Sequence, residues 1–221
     1  MRVKICGITN LEDAMMAAEY GADAIGFIFA PESPRFTPPE TVRKIVSSLP
    51  AFVTTVGVFT SGEEKDFRRA IEECGVDLIQ FHGPFSPETI RPFASRAIKV
   101  IRVQNEKSLD EISSHPVRAI LLDTYHDQHL GGSGVSFDWK IAAKATQWLG
   151  RIILAGGLTP ENVEAAIAAV RPYGVDVSSG VEIETGGRGS GVGGRRKKDH
   201  VKMKRFIEAA KRAGEKYVVT E

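Results

Sequence analysis

The chain has 221 residues, 42% hydrophobic and 26% charged, with 29 Lys and Arg against 28 Asp and Glu. This ordinary composition excludes a fibrous or disordered chain, and the near-zero net charge offers no general attraction to nucleic acid or an anionic membrane. No run of about 18 apolar residues could span a membrane, two cysteines cannot build a disulfide framework, and strand-like sequence from Arg2 leaves no room for a signal peptide, so a reducing cytoplasm is the expected location.

Short apolar runs alternate with amphipathic stretches along the whole chain. "RVKICGI" (2–8) precedes a helix at 10–20, "ADAIGFIF" (22–29) one at 38–49, and "FVTTVGVF" (52–59) one at 63–74. "DLIQFH" (77–82) precedes 86–95, "AIKVIRV" (97–103) precedes 108–115, and "AILLDT" (119–124) precedes 137–149. "RIILAGG" (151–157) precedes 159–170, and "GVDVSSGV" (174–181) precedes a long loop and a helix at 199–213. Asn10, Ser86 before Pro87 and Thr159 before Pro160 are helix-start signals; Gly75 and Gly214 sit where helices should stop.

Strands alternating with helices imply a parallel sheet under helical cover. Eight such units with no surplus strand predict an α/β chain folded as one (β/α)8 TIM barrel over 1–221, with a flexible Gly/Arg-rich loop at about 183–198; an open doubly wound sheet would use fewer strands. Chemistry in such barrels gathers at the C-terminal strand ends. Those ends carry Cys6, His82, Asp123, the pair Gly156 and Gly157, and the trio Ser178, Ser179 and Gly180. The last two strand ends are built of small residues, which lets backbone N–H groups approach a phosphate; the alternative is two tight turns.

Alternation puts Lys4 and Cys6 on the inner face, so the ammonium is expected to favour thiolate at the cysteine, although a strand cysteine taken alone is more often a small buried hydrophobe. Cys74, closing a helix, is that plain case. Asp123 ends an apolar strand and is either an acid–base group or a turn cap. Asp176 shares its face with Ser178, and because strand 8 borders strand 1 it is expected to pair with Lys4 or meet a substrate hydroxyl. Gln80 and His82 also face inward, able to bond a substrate or to form an internal polar network. Five scattered histidines show no metal-ligand spacing.

"KICGIT" (4–9), "SPR" (33–35), "HG" (82–83), "LLDT" (121–124), "GGSG" with "FDW" (131–139), "LAGGLTPENV" (154–163) and "GVDVSSGVE" (174–182) occur in this order. Together they resemble the phosphoribosylanthranilate isomerases of tryptophan biosynthesis, from about residue 2 to 214. The resemblance implies a cofactor-free Amadori rearrangement of N-(5-phosphoribosyl)anthranilate to the 1-deoxyribulose phosphate ketone. It implies Cys6 as general base and Asp123 as general acid. It places the substrate carboxylate on Arg35, and the phosphate on Gly156, Gly157, Ser178, Ser179 and Gly180. The partner it implies is a small phosphosugar, with the chain a monomer or homodimer. For Asp123 to donate near neutral pH its carboxyl must be raised in the working complex.

Residues 183–198 are longer and richer in glycine than this family's usual link; Gly189, Gly191 and Gly194 form a nominal GxGxxG without the strand–turn–helix context of a dinucleotide site. Three readings fit the loop: a plain flexible connection, a lid over the phosphate, or a basic nucleic-acid contact. Phe81 stands where leucine is expected, and the final "KYVVTE" carries no reading. Other phosphosugar barrels fit less well: indole-glycerol-phosphate synthases would need a lysine and glutamates at strand ends, and epimerases usually hold a metal. An idle barrel that binds RNA is disfavoured by the neutral charge.

Overall fold

The computed structural model describes residues 1–115, 117–124, 135–148, 150–183 and 196–217. Its strands are β1 (Arg2–Cys6), β2 (Ala24–Ile28), β3 (Thr54–Phe59), β4 (Leu78–Phe81), β5 (Ala97–Val103), β6 (Ala119–Thr124), β7 (Ile152–Ala155) and β8 (Gly174–Val177). All pair in parallel and close in chain order, β8 returning to β1, so the expected (β/α)8 barrel is the fold. The helices are α1 (Leu11–Glu19), α2 (Pro39–Val46), α3 (Glu64–Glu72), α4 (Pro87–Ile90), α5 (Val135–Trp148), α6 (Val163–Val170) and α7 (His200–Glu215).

The period-2 pattern sorts each strand's side chains between two cores. Val3, Ile5, Ile25, Phe27, Ile79 and Phe81 pack outward against helix residues such as Ala14, Ala17, Val42, Ile45 and Phe67. Val56, Ile98, Val100, Ala119, Leu121 and Ala155 fill the barrel interior. Phe81 is justified by its neighbours: its ring meets Phe67 edge-on at 5.0 Å, within a group that also includes Phe59, Phe85 and Phe93.

Local chemistry accounts for where helices depart from expectation. Asn10 Oδ1 accepts the Asp13 N–H, and Ser86 Oγ accepts that of Thr89, as read. Pro92 has no N–H to continue α4, so the chain tightens into a 3₁₀ segment, Arg91–Arg96. The segment after β5 is wholly 3₁₀, Glu106–Ser114; Asn105 and Ser108 side chains bond the nearby backbone and compete with α geometry. Helix α6 starts at Val163 rather than Pro160, because Thr159 and Asn162 form a turn in which each side chain accepts a nearby N–H. Gly75 does follow α3, at φ 77°. Gly214 does not end α7, which runs to Glu215; a Cβ there would lie 2.5 Å from the Met1 nitrogen, so glycine admits the chain start against the helix.

The Gly/Arg stretch 184–195 lies outside the described residues, as do 131–134 and the tail 218–221, so the lid reading falls there too. The two ends of the stretch are tied together: Glu182 bridges Lys198, and the Ile183 N–H donates to the Lys197 carbonyl.

Candidate active site

The strand register builds the site from its floor. Lys4 lies beside Asp176 in the β1–β8 pairing, and Lys4 Nζ donates to Asp176 Oδ1 at 2.9 Å, with both side chains under one-tenth exposed. Cys6 is on the same inner face, nearer the mouth, opposite Gly26 of β2, where a Cβ would come within 2.9 Å of its sulfur. Burial works against charge on Lys4, but Asp176 and then Cys6 outweigh it and raise the ammonium's pKa. Burial is also the largest influence on Asp176 and raises its carboxyl against the pull of Lys4, with Asp123 adding repulsion.

Cys6 corrects the expectation of a thiolate. Burial pushes the thiol above its ordinary value, more than Lys4 lowers it. The lysine's charge is shared between Asp176 and the sulfur, and its pull on the thiol is smaller than the penalty of burial.

Asp123, at the end of β6, has a side chain 31% exposed, and its Oδ2 is 3.8 Å from His82 Nε2. That distance is too long for a hydrogen bond, but it brings the ends of β4 and β6 together over one mouth. The His82 imidazole is lowered by burial and then by Arg102, which keeps it neutral near pH 7. Gln80 Oε1, His82 Nε2 and Ser178 Oγ are buried and have no hydrogen-bond partner among the described residues. Buried acceptors and donors in this state are unusual away from a binding site. Arg102 was missed by sequence reasoning: it pairs in register with Asp123, and alternation in "AIKVIRV" puts it on the inner face with Ile98 and Val100. The available signal was that period.

The β7 and β8 loops meet. Gly156 and Gly157 have φ of 86° and 62°, which side chains rarely adopt. Asn162 Nδ2 donates to the Gly157 carbonyl at 2.9 Å. Beyond Ser178 the chain makes a single 3₁₀ turn, Ser179–Val181. There Gly180 lies so close that a Cβ would be 2.0 Å from the Leu158 carbonyl oxygen. Backbone turns of this type can gather N–H groups around an anion. Gly180→Ala must separate the two loops; we expect KM for a phosphorylated substrate to rise by about tenfold or more, because each 1.4 kcal/mol of lost contact is tenfold, read from steady-state kinetics with inorganic phosphate as competitor.

Arg35, in the loop after β2, forks onto Glu182: Nε to Oε1 at 2.6 Å and Nη2 to Oε2 at 2.8 Å. Its aliphatic stem crosses Gly7, where a Cβ would be 2.6 Å from Arg35 Cδ. Lys198 Nζ reaches Glu182 Oε1 at 3.1 Å and the Ser178 carbonyl at 3.0 Å, with no side-chain exposure. Burial alone would raise Glu182, but Arg35 and Lys198 outweigh it and hold the carboxyl below its ordinary value. Neither Glu182 nor Lys198 was singled out from sequence, since each looks like a surface charge until the loops are folded over the barrel.

A closed eight-stranded barrel with a thiol, carboxylates and an imidazole at its C-terminal mouth, beside paired glycine turns, defines a (β/α)8-barrel enzyme. The sequence model of N-(5'-phosphoribosyl)anthranilate (PRA) isomerase matches residues 3–209. The N-(5'-phosphoribosyl)anthranilate isomerase of Geobacter metallireducens is 47% identical over 211 residues, covering 96% of this chain and 99% of that one. The crystal structure of phosphoribosyl anthranilate isomerase from Thermotoga maritima superposes with a TM-score of 0.83 at 43% identity, over 96% of this chain and 98% of that one. A phosphoribosyl anthranilate isomerase crystallised with reduced 1-(o-carboxyphenylamino)-1-deoxyribulose 5-phosphate superposes with a TM-score of 0.81 at 41% identity, over the same shares. This chain belongs to the N-(5'-phosphoribosyl)anthranilate isomerase family.

Proposed function

We propose that Cys6 and Asp123 are the base and acid by which this isomerase of tryptophan biosynthesis converts N-(5-phosphoribosyl)anthranilate to 1-(2-carboxyphenylamino)-1-deoxyribulose 5-phosphate. The observation that carries the reading is the shared mouth. Asp123 approaches His82 across the barrel at 3.8 Å, and Cys6 lies on the same inner face one pleat above Lys4, whose amine bonds Asp176 at 2.9 Å.

Asp123 gives its proton to the ribose ring oxygen as the C1–O bond breaks, and the anthranilate nitrogen supplies the electron pair that makes an iminium. The iminium acidifies the C2 proton. Cys6, as thiolate, removes it, and the C–H electrons form the C1–C2 double bond of an enolamine. Proton return at C1 and loss of the enol proton give the ketone. The reaction moves hydrogen within one molecule and calls on no cofactor. Each positioned acid or base contributes about 10²–10⁴-fold. Lys4 stabilises the thiolate at the moment it forms.

Gly156, Gly157, Ser178, Ser179 and Gly180 hold the phosphate in this reading. Arg35 takes the anthranilate carboxylate, and Gln80, His82 and Asp176 face the sugar hydroxyls. The unpartnered Gln80, His82 and Ser178 atoms support that placement. No helix of the described residues is long and apolar enough to cross a membrane. Two buried free cysteines support a reducing, cytoplasmic setting. We read the chain as a monomer or homodimer, which light scattering distinguishes.

The test generates the labile substrate in situ from anthranilate and a phosphoribosyl donor and follows the loss of anthranilate fluorescence. Turnover that gives the ketone supports the reading; a folded chain with no turnover rejects it.

A further inference from the structure

Resting on the reading of Arg35 as the carboxylate contact, we propose that Glu182 and Lys198 are positioning residues that orient Arg35 and set the charge by which this site selects a substrate with an anionic aryl group. A free arginine side chain has many rotamers. Here three features hold it: the fork onto Glu182, the stem crossing Gly7, and burial of most of its length. Glu182 occupies the side edge of the guanidinium, through Nε and Nη2. A guanidinium has five N–H groups, so the end-on fork, Nη1 and the second Nη2 hydrogen, carries the donors that a carboxylate takes in parallel.

The charge count explains Lys198. An Arg35–Glu182 pair alone would be neutral and would attract an anion weakly. Lys198, wholly buried against the same carboxylate, restores one surplus positive charge to the group. Its amine also bonds the Ser178 carbonyl, joining the carboxylate contact to the glycine turn at the end of β8. Its backbone N–H donates to Asp13, which fixes where the chain re-enters after the Gly/Arg stretch. The trio is thus a single buried network that presents one half of a guanidinium outward.

The prediction concerns discrimination rather than rate. Calorimetry would compare two probes: reduced 1-(o-carboxyphenylamino)-1-deoxyribulose 5-phosphate and the same compound without its carboxylate. Wild type is expected to prefer the carboxylated probe by about 10–100-fold, the range for hydrogen bonds to a charged group. Lys198→Met, which leaves the group neutral, and Glu182→Gln/Lys198→Met, which keeps one positive charge but releases the guanidinium, are each expected to cut that preference by about tenfold, one hydrogen bond's share, with KM rising more than kcat falls and the probe without a carboxylate weakened less than the carboxylated one. Lys198→Met reads the charge and the double variant reads the orientation at constant net charge; where Lys198→Met fails to fold, the double variant, which leaves neither buried partner unpaired, carries the test of orientation. Arg35→Met separates the two claims. Loss of the preference in Arg35→Met but its full retention in Lys198→Met and the double variant overturns the inference and leaves the Arg35 reading standing. Full retention in Arg35→Met overturns both.

Discussion

Cys6→Ser is expected to lower kcat by about 10²–10⁴-fold, the range for loss of a positioned base, and Asp123→Asn by a similar factor for loss of the acid. The two act in successive steps, ring opening and C2 deprotonation, so the slower impaired step sets the rate and the double variant should be little slower than the worse single one. A serine hydroxyl is nearly isosteric but too weak a base even beside Lys4. The pH profile adds an independent sign. A base works only when deprotonated, and burial raises the Cys6 thiol above its ordinary value of 9.0. The ascending limb of kcat/KM should therefore extend to the alkaline side of 9.0. It should vanish in Cys6→Ser while persisting in Asp123→Asn. Unchanged turnover in either single variant, measured by anthranilate fluorescence, would remove the named residues from the mechanism.

The largest expected stability effect is Lys4→Met, which leaves the buried Asp176 carboxylate without its partner. Removing one member of a buried pair costs about 3–5 kcal/mol. Asp176 is already raised from its ordinary value of 3.8 by burial, and losing Lys4 raises it further. A raised carboxyl binds its proton more tightly folded than unfolded. The folded variant is then spared below the unfolded value and penalised as pH rises through the folded one. Urea denaturation should show the variant losing most stability near pH 8 and recovering toward pH 4. The double variant Lys4→Met/Asp176→Leu should regain most of the loss at every pH, since no charge remains buried. A defect of equal size at both pH values would locate the cost in packing instead.

Periodicity along the chain determined the fold of this protein. Eight alternating runs specify eight parallel strands, and their period of two assigns Lys4, Cys6, Gln80, Asp123 and Asp176 to one inner face. Even the Lys4–Asp176 pair was legible, because closure brings the last strand against the first. The same rule would have found Arg102.

Tertiary structure decided what local pattern cannot encode. Arg35 and Glu182 are 147 positions apart and meet only after two loops fold over the mouth. Gly214 resembles a helix stop in sequence and is instead a contact with Met1. The protonation of Cys6 depends on how deeply it is buried and on Lys4 being shared with Asp176. Patterns of two and 3.6 residues record which way a side chain faces. Desolvation and long-range ion pairing depend on everything packed around it, and only the assembled barrel supplies that.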